Sequence, residues 1–235
     1  EKVRGKQIGM IFQNPLDSLN PVYRSGTQVA EALMIDGMSR KEAMERTVEL
    51  YREVHIPFPE QRVRAYPHEL SGGMRQRVMI AMMLARNPKL LIADEPTTAL
   101  DVTVEAQVLR IMKESCSKHD ASVLLITHNF GVVAEIADRI GIMYAGEIVE
   151  EGDVFEVFHN PVHPYSQALL SSLPRCRKTE EKLKTIEGTV PRITEKKPEC
   201  RFRNRCPYAS SICAEDVPEK KRISQTHTVR CHNRG

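Results

Sequence analysis

The stretch Leu70-Ser71-Gly72-Gly73-Met74-Arg75-Gln76-Arg77, followed by Leu90-Leu91-Ile92-Ala93-Asp94-Glu95-Pro96, decides the fold. Ser71-Gly72-Gly73 opens a helix expected to run to about Arg86 and to stop at Asn87-Pro88. Unpaired N–H groups and the helix dipole make such a helix head a ready anion site. Its glycines let a phosphate approach closely, although Ser-Gly-Gly alone reads equally as an ordinary helix cap. Leu90 to Ala93 reads as a buried strand that ends in two adjacent carboxylates. Carboxylates there are costly unless a cation or hydrogen bonds compensate them. The C-terminal edge of a parallel strand is also where α/β folds place ligands. Asp94 suits holding Mg²⁺ and Glu95 suits polarising an attacking water.

Outward from this stretch, strands and helices alternate. Lys6 to Phe12 reads as a strand that stops at Gln13-Asn14-Pro15. Thr27 to Met34 and Ser39 to Val54 have helical periodicity, with Ser39 as N-cap. Val102 to His119 reads as a helix, Val123 to Thr127 as a second buried-type strand, and Phe130 to Asp138 as a short helix. Arg139 to Tyr144 and Glu147 to Glu150 pair around Ala145-Gly146. This order predicts an α/β domain with a mainly parallel sheet. Beyond Gly152 come a short helix over Asp153 to His159, the proline-rich turn Asn160-Pro161-Val162-His163-Pro164-Tyr165, and a helix over Ser166 to Leu173.

The 235 residues hold one sizeable domain and an appendage, and the 41% apolar content allows a true core. No apolar run approaches the ~20 residues that span a bilayer. No signal peptide and no initiator methionine stand at Glu1-Lys2-Val3-Arg4, so the chain is expected to begin mid-protein. The net charge of +3 is uneven: residues 175–235 carry 16 Lys and Arg against 8 Asp and Glu. The tail reads as a solvated surface or as a contact for an anionic partner. Its aromatics are only Phe202 and Tyr208, too few for a nucleic-acid stacking platform, so no nucleic acid is expected.

Gln13, then Leu70 to Gly73, then Leu90 to Glu95, then Ala99-Leu100-Asp101, then His128 resemble, in this order, the ATPase subunit of an ABC transporter. They look like that family's Q-loop, signature motif, Walker B motif, D-loop and switch histidine. The resemblance covers about Lys6 to Gly152. It implies a partial ABC ATPase domain over residues 1–152, with a helical signature subdomain at about 20–86. It also implies ATP and Mg²⁺ as cofactors. Gln13 would sense Mg²⁺ and the γ-phosphate, Asp94 would hold Mg²⁺, Glu95 would act as general base, and His128 would contact the γ-phosphate. Ser71, Gly72 and Gly73 would meet the ATP of an opposite subunit, and Asp101 would cross that dimer interface. Met74 departs from the generic motif, where glutamine follows the glycines.

Phe12-Gln13-Asn14-Pro15-Leu16-Asp17-Ser18-Leu19-Asn20-Pro21 and Met74-Arg75-Gln76-Arg77 look like the ATPases of peptide and nickel importers. Residues 153–174 resemble that group's C-terminal extension. A charged linker over residues 175–198 and a cysteine region over 199–235 are expected to follow. Cys200, Cys206, Cys213 and Cys231 lack any C-x-x-C pair, which argues against the usual zinc knuckles. Pro207 after Cys206 is a neighbour also seen in iron–sulfur runs. The region resembles the tail of dipeptide and oligopeptide importer ATPases, which implies a [4Fe–4S] cluster on these four cysteines. His227 and His232 keep zinc open, and free thiols or disulfides remain a third reading. Cys116 and Cys176 read as ordinary thiols.

No G-x-x-x-x-G-K-[ST] loop occurs in the 235 residues. Two readings follow. One is the catalytic subunit of a peptide or nickel importer, met as a piece that does not hydrolyse ATP alone. The other is a non-catalytic partner whose signature motif completes another subunit's ATP site. Both imply a second ATPase subunit (homo- or heterodimer), transmembrane permease subunits, an extracytoplasmic substrate-binding protein, and a peripheral place at the cytoplasmic face of the membrane.

Overall fold

A computed structural model describes residues 3–13, 18–97, 100–172, 186–192, 194–195 and 197–233. Asn14 to Asp17 of the expected Q-loop, Ala99 of the D-loop, Cys176 and residues 175–185 of the linker lie outside the described residues. The chain forms two compact units, Glu1–Phe130 and Gly131–Gly235.

In the first unit, β1 (Ile8–Ile11), β2 (Leu90–Asp94) and β3 (Ser122–Ile126) form a parallel sheet in the order β1-β2-β3. Ile8 stands beside Leu90, and Asp94 beside Ile126, so all three strands finish at one edge. The helices of this unit are α1 (Ser25–Met34), α2 (Arg40–Glu53), α3 (Pro59–Arg62), α4 (Gly72–Leu84) and α5 (Val102–Lys118). Ser39 caps α2 in a capping box with Glu42, as the sequence predicts. Leu50, Ile80, Leu84, Leu91, Leu109 and Met112 fill the core at 0–1% exposure. Each such side chain contributes about 1.5–3 kcal/mol on burial.

One expectation is corrected. The apolar run over Val123 to Thr127 does form a strand, but it is not buried among the described residues. Leu124 is 51% and Ile126 46% exposed. β3 ends the order β1-β2-β3, and only β2 pairs with it in that sheet. A continuous apolar run records strand character but not how many neighbours the strand has.

In the second unit, β4 (Arg139–Tyr144), β5 (Glu147–Asp153), β6 (Lys220–Arg222) and β7 (Thr228–Arg230) form an antiparallel sheet in the order β4-β5-β7-β6. The β4–β5 pair was legible in the sequence; the addition of β7 through Glu150 and Glu151 was not. The helix α6 (Phe130–Ile136) precedes β4, while α7 (Val154–His159), α8 (Pro164–Ser171) and α9 (Ile212–Glu215) lie beyond β5. Asp153 caps α7 and His163 caps α8 through their side chains. No helix among the described residues is long and apolar enough to cross a membrane.

Candidate functional site

The common C-terminal edge of β1, β2 and β3 brings three predicted residues together. Gln13 follows β1, Glu95 follows β2 and His128 follows β3. Gln13 Nε2 donates to Glu95 Oε2 at 3.0 Å. His128 Nδ1 lies 3.0 Å from Glu95 Oε1, so its Nδ1–H faces the carboxylate and Nε2 is left for another partner. The Glu95 backbone adopts a φ of 42°, an uncommon value for a side-chain-bearing residue. Its amide donates to Ile126 O at 2.9 Å, which fixes the turn against β3. Glu95 is 28% and His128 85% exposed, so the carboxylate is held at an open rim. Asp94 ends β2 half-buried beside it. An oxygen ligand of this kind suits Mg²⁺, a hard cation.

Ser71, Gly72 and Gly73 sit elsewhere in the unit, at the head of α4 where it meets α5. The Ser71 side chain caps α4 by accepting from Met74 N at 3.3 Å. The glycines have a packing reason as well as an anion-binding one. A Cβ on Gly73 would stand 2.7 Å from Val104 Cγ1, and one on Gly72 3.1 Å from Leu100 Cδ2. Asp101 is exposed and caps α5, accepting from Val104 N at 3.0 Å.

The motif reading missed a group just below this edge. Thr97 Oγ1 donates to Glu105 Oε1 at 2.7 Å, and Asn129 Nδ2 donates to Glu105 Oε2 at 3.1 Å. Asn129 N also donates to Thr127 Oγ1 at 3.0 Å. The adjacency of Thr97 to Glu95 and of Asn129 to His128 was the available signal. The Glu105 link depends on which way α5 turns its first acid.

In the second unit, Cys200, Cys206, Cys213 and Cys231 are not in disulfides, nor is Cys116 in the first unit. Cys200 N donates to Cys213 O at 2.9 Å. Burial pushes the Cys200 thiol up; a hydrogen bond from the Phe202 backbone opposes this, and the nearby Cys213, Cys206 and Cys231 add to the rise. The Cys200 sulfur therefore lies within electrostatic reach of the other three. Among the described residues, no group of three or more His, Cys, Asp or Glu is arranged to hold a metal ion. His227 Nε2 faces Glu150 Oε1 at 2.7 Å, and His232 Nε2 faces Asp216 O at 3.0 Å. The segment is anchored by Arg205, which donates to Glu187 O and Ile186 O at 2.8 and 2.9 Å. Phe202, 2% exposed, packs edge-on to Tyr144 at 5.0 Å between ring centroids.

The sequence profile described as "ABC transporter" matches residues 1–98, and that described as "Oligopeptide/dipeptide transporter, C-terminal region" matches residues 149–213. The oligopeptide transport ATP-binding protein OppD of Bacillus subtilis (strain 168) is 52% identical over 232 residues, covering 98% of this chain and 65% of its own length. AppD of the same organism, also an oligopeptide transport ATP-binding protein, is 51% identical over 98% of this chain and 70% of its own length. The dipeptide transport ATP-binding protein DppD of Haemophilus influenzae is 49% identical over 97% of this chain and 69% of its own length. The chain thus spans about two thirds of the length of these relatives. Among solved structures, the dimeric structure of MJ0796, a bacterial ABC transporter cassette, matches with a TM-score of 0.56 and 31% identity over 65% of each chain. The order of motifs, the bracketed carboxylate at the sheet edge and these likenesses agree: the chain belongs to the family of ABC transporter ATP-binding proteins.

Proposed function

We propose that the chain is an ATP-hydrolysing subunit that energises peptide import, acting peripherally at the cytoplasmic face of the membrane beside permease subunits. The observation that carries this reading is the Glu95 carboxylate held between Gln13 Nε2 and His128 Nδ1, 3.0 Å from each. ATP, when bound with Mg²⁺, supplies the phosphoanhydride bond that water splits. Asp94 would hold Mg²⁺. Glu95 takes a proton from the attacking water, while Gln13 and His128 fix which carboxylate oxygen points where. His128 keeps Nε2 for a phosphate oxygen. Ser71 and Gly73 present the head of α4 to a nucleotide carried by a second ATPase subunit, and the exposed Asp101 crosses that interface. The names of the relatives support peptide cargo; an extracytoplasmic substrate-binding protein would deliver it, and nickel is the related alternative.

An alternative reading is a non-catalytic partner that completes another subunit's ATP site through the Ser71-Gly72-Gly73 head of α4. By themselves these 235 residues are expected to give no ATP turnover. The test is ATP hydrolysis by the gene product as the organism makes it, co-purified with its membrane subunits. Glu95→Gln is expected to lower turnover by about 10²–10⁴. Unchanged turnover would refute the assignment, and turnover by the 235 residues alone would refute their dependence on another loop.

We also propose a [4Fe–4S] cluster on Cys200, Cys206, Cys213 and Cys231. Cys200 lies within electrostatic reach of Cys206, Cys213 and Cys231, and its amide donates to Cys213 O, which supports it, since thiolates are the ligands that iron–sulfur clusters take. Iron and sulfide in equal amounts after anaerobic purification would support the cluster. Zinc in their place would support the alternative, and neither metal would end both.

A further inference from the structure

Glu105 lies outside every motif that names this family, yet its side chain joins the two loops that carry the candidate catalytic groups. One oxygen accepts from Thr97, two residues beyond Glu95, and the other from Asn129, next to His128. We infer that Glu105 is a positioning residue that holds the Glu95 and His128 loops in register; the inference rests on the ATPase reading above.

The two sets of bonds differ in strength. The bonds from Gln13 and His128 to Glu95 are exposed, with His128 85% open to solvent, and water competes with both. The tie beneath is better protected. Thr97 is 7% exposed, Glu105 and Asn129 are half-buried, and both bonds go to an ionised carboxylate, which strengthens them. Glu105 stands in the first turn of α5, where the helix dipole also favours a negative charge. That turn is rooted by the Asp101 cap. The rigid member is therefore the helix, and the two loops hang from it. Loss of the carboxylate would remove a part-buried cross-link beneath Glu95, whose backbone holds a φ of 42°, and the loop of His128. A small misplacement of reacting groups is costly in rate.

The experiment uses the gene product as the organism makes it, co-purified with its membrane subunits, and has two readouts. Hydrogen exchange at the Glu95 and Asn129 amides is expected to quicken by about tenfold in Glu105→Ala. It should stay near wild type in Glu105→Gln, because glutamine can accept from Thr97 and pair with a flipped Asn129 amide. In ATP turnover, Glu105→Ala is expected to lose about tenfold in kcat with KM changed by less than about twofold, and Glu105→Gln to recover it. Asn129→Ala severs one arm and should move both readouts in the same direction, which covers the case in which Glu105→Ala does not fold. Unchanged exchange in the alanine variants, unchanged kcat, or a glutamine variant as slow as alanine would each overturn the inference. A wild type that hydrolyses no ATP would refute the proposed function instead, while the exchange measurement still decides whether the tie exists.

Discussion

His227 Nε2 lies 2.7 Å from Glu150 Oε1, and both side chains are buried, at 3% and 1% exposure. The same carboxylate accepts from Val162 N at 2.7 Å and from His163 N at 2.9 Å. One acid therefore satisfies three donors, from the β6–β7 hairpin and from the turn that leads into α8. A buried charge is tolerable only when it is satisfied in this way.

Glu150→Ala should leave these three donors without their acceptor and cost about 3–5 kcal/mol. Glu150→Gln keeps an acceptor and should cost less. Denaturant titration, followed by exchange of the Val162 and His163 amides, checks this. A loss below about 1 kcal/mol for the alanine variant would contradict the role assigned to the carboxylate.

Stability in the second unit should fall with acid through His163. Burial lowers its pKa from the ordinary 6.5 to about 4, against the raising effect of Glu150. Its Nδ1 accepts from Tyr165 N at 3.0 Å, which requires the neutral ring. Above pH 6.5 neither state binds the proton and stability is intact. Between 6.5 and 4 the unfolded chain takes the proton first, so stability drains as pH falls, reaching about 3 kcal/mol near pH 4. His163→Asn keeps a capping side chain and should flatten that slope; an unchanged slope would show that another group titrates.

The α4–α5 contact predicts a steric rescue. Gly73→Ala would push a Cβ to 2.7 Å from Val104 Cγ1 and should destabilise by about 1–3 kcal/mol. Adding Val104→Ala removes the opposing methyl groups and should return part of that loss. Urea denaturation of the two single variants and the double variant measures the coupling, and strict additivity would deny the contact.

Cys116 offers a chemical check on the first unit. Burial alone raises its thiol to about 11, and it is 1% exposed. Alkylation at pH 8 should be at least about 10²-fold slower than for a free thiol, because the thiolate is the nucleophile. Rapid labelling of the native protein would show that the α5 core opens readily.

Local signals carried most of the first unit. Ser39 with Glu42, Ser71 before two glycines and Asp101 before α5 mark helix starts through bonds that span three residues, so neighbouring letters are enough to read them. The apolar runs before Gln13, Glu95 and His128 likewise revealed strands, and their alternation with helices implied that the strand ends would meet. The exposure of β3 escaped this reading, because a strand's composition does not count its neighbours.

The sequence by itself determined which residues end the strands, and in what order the family's motifs run. Only the tertiary structure decided that Glu105 ties Thr97 to Asn129, that Glu150 gathers Val162, His163 and His227, and that the short strand Thr228–Arg230 joins β5. The reason is separation along the chain. Glu105 and Asn129 are 24 residues apart, and Glu150 and His227 are 77 apart. No helical or strand period spans such distances, so these partners meet only when the packed core brings their elements together.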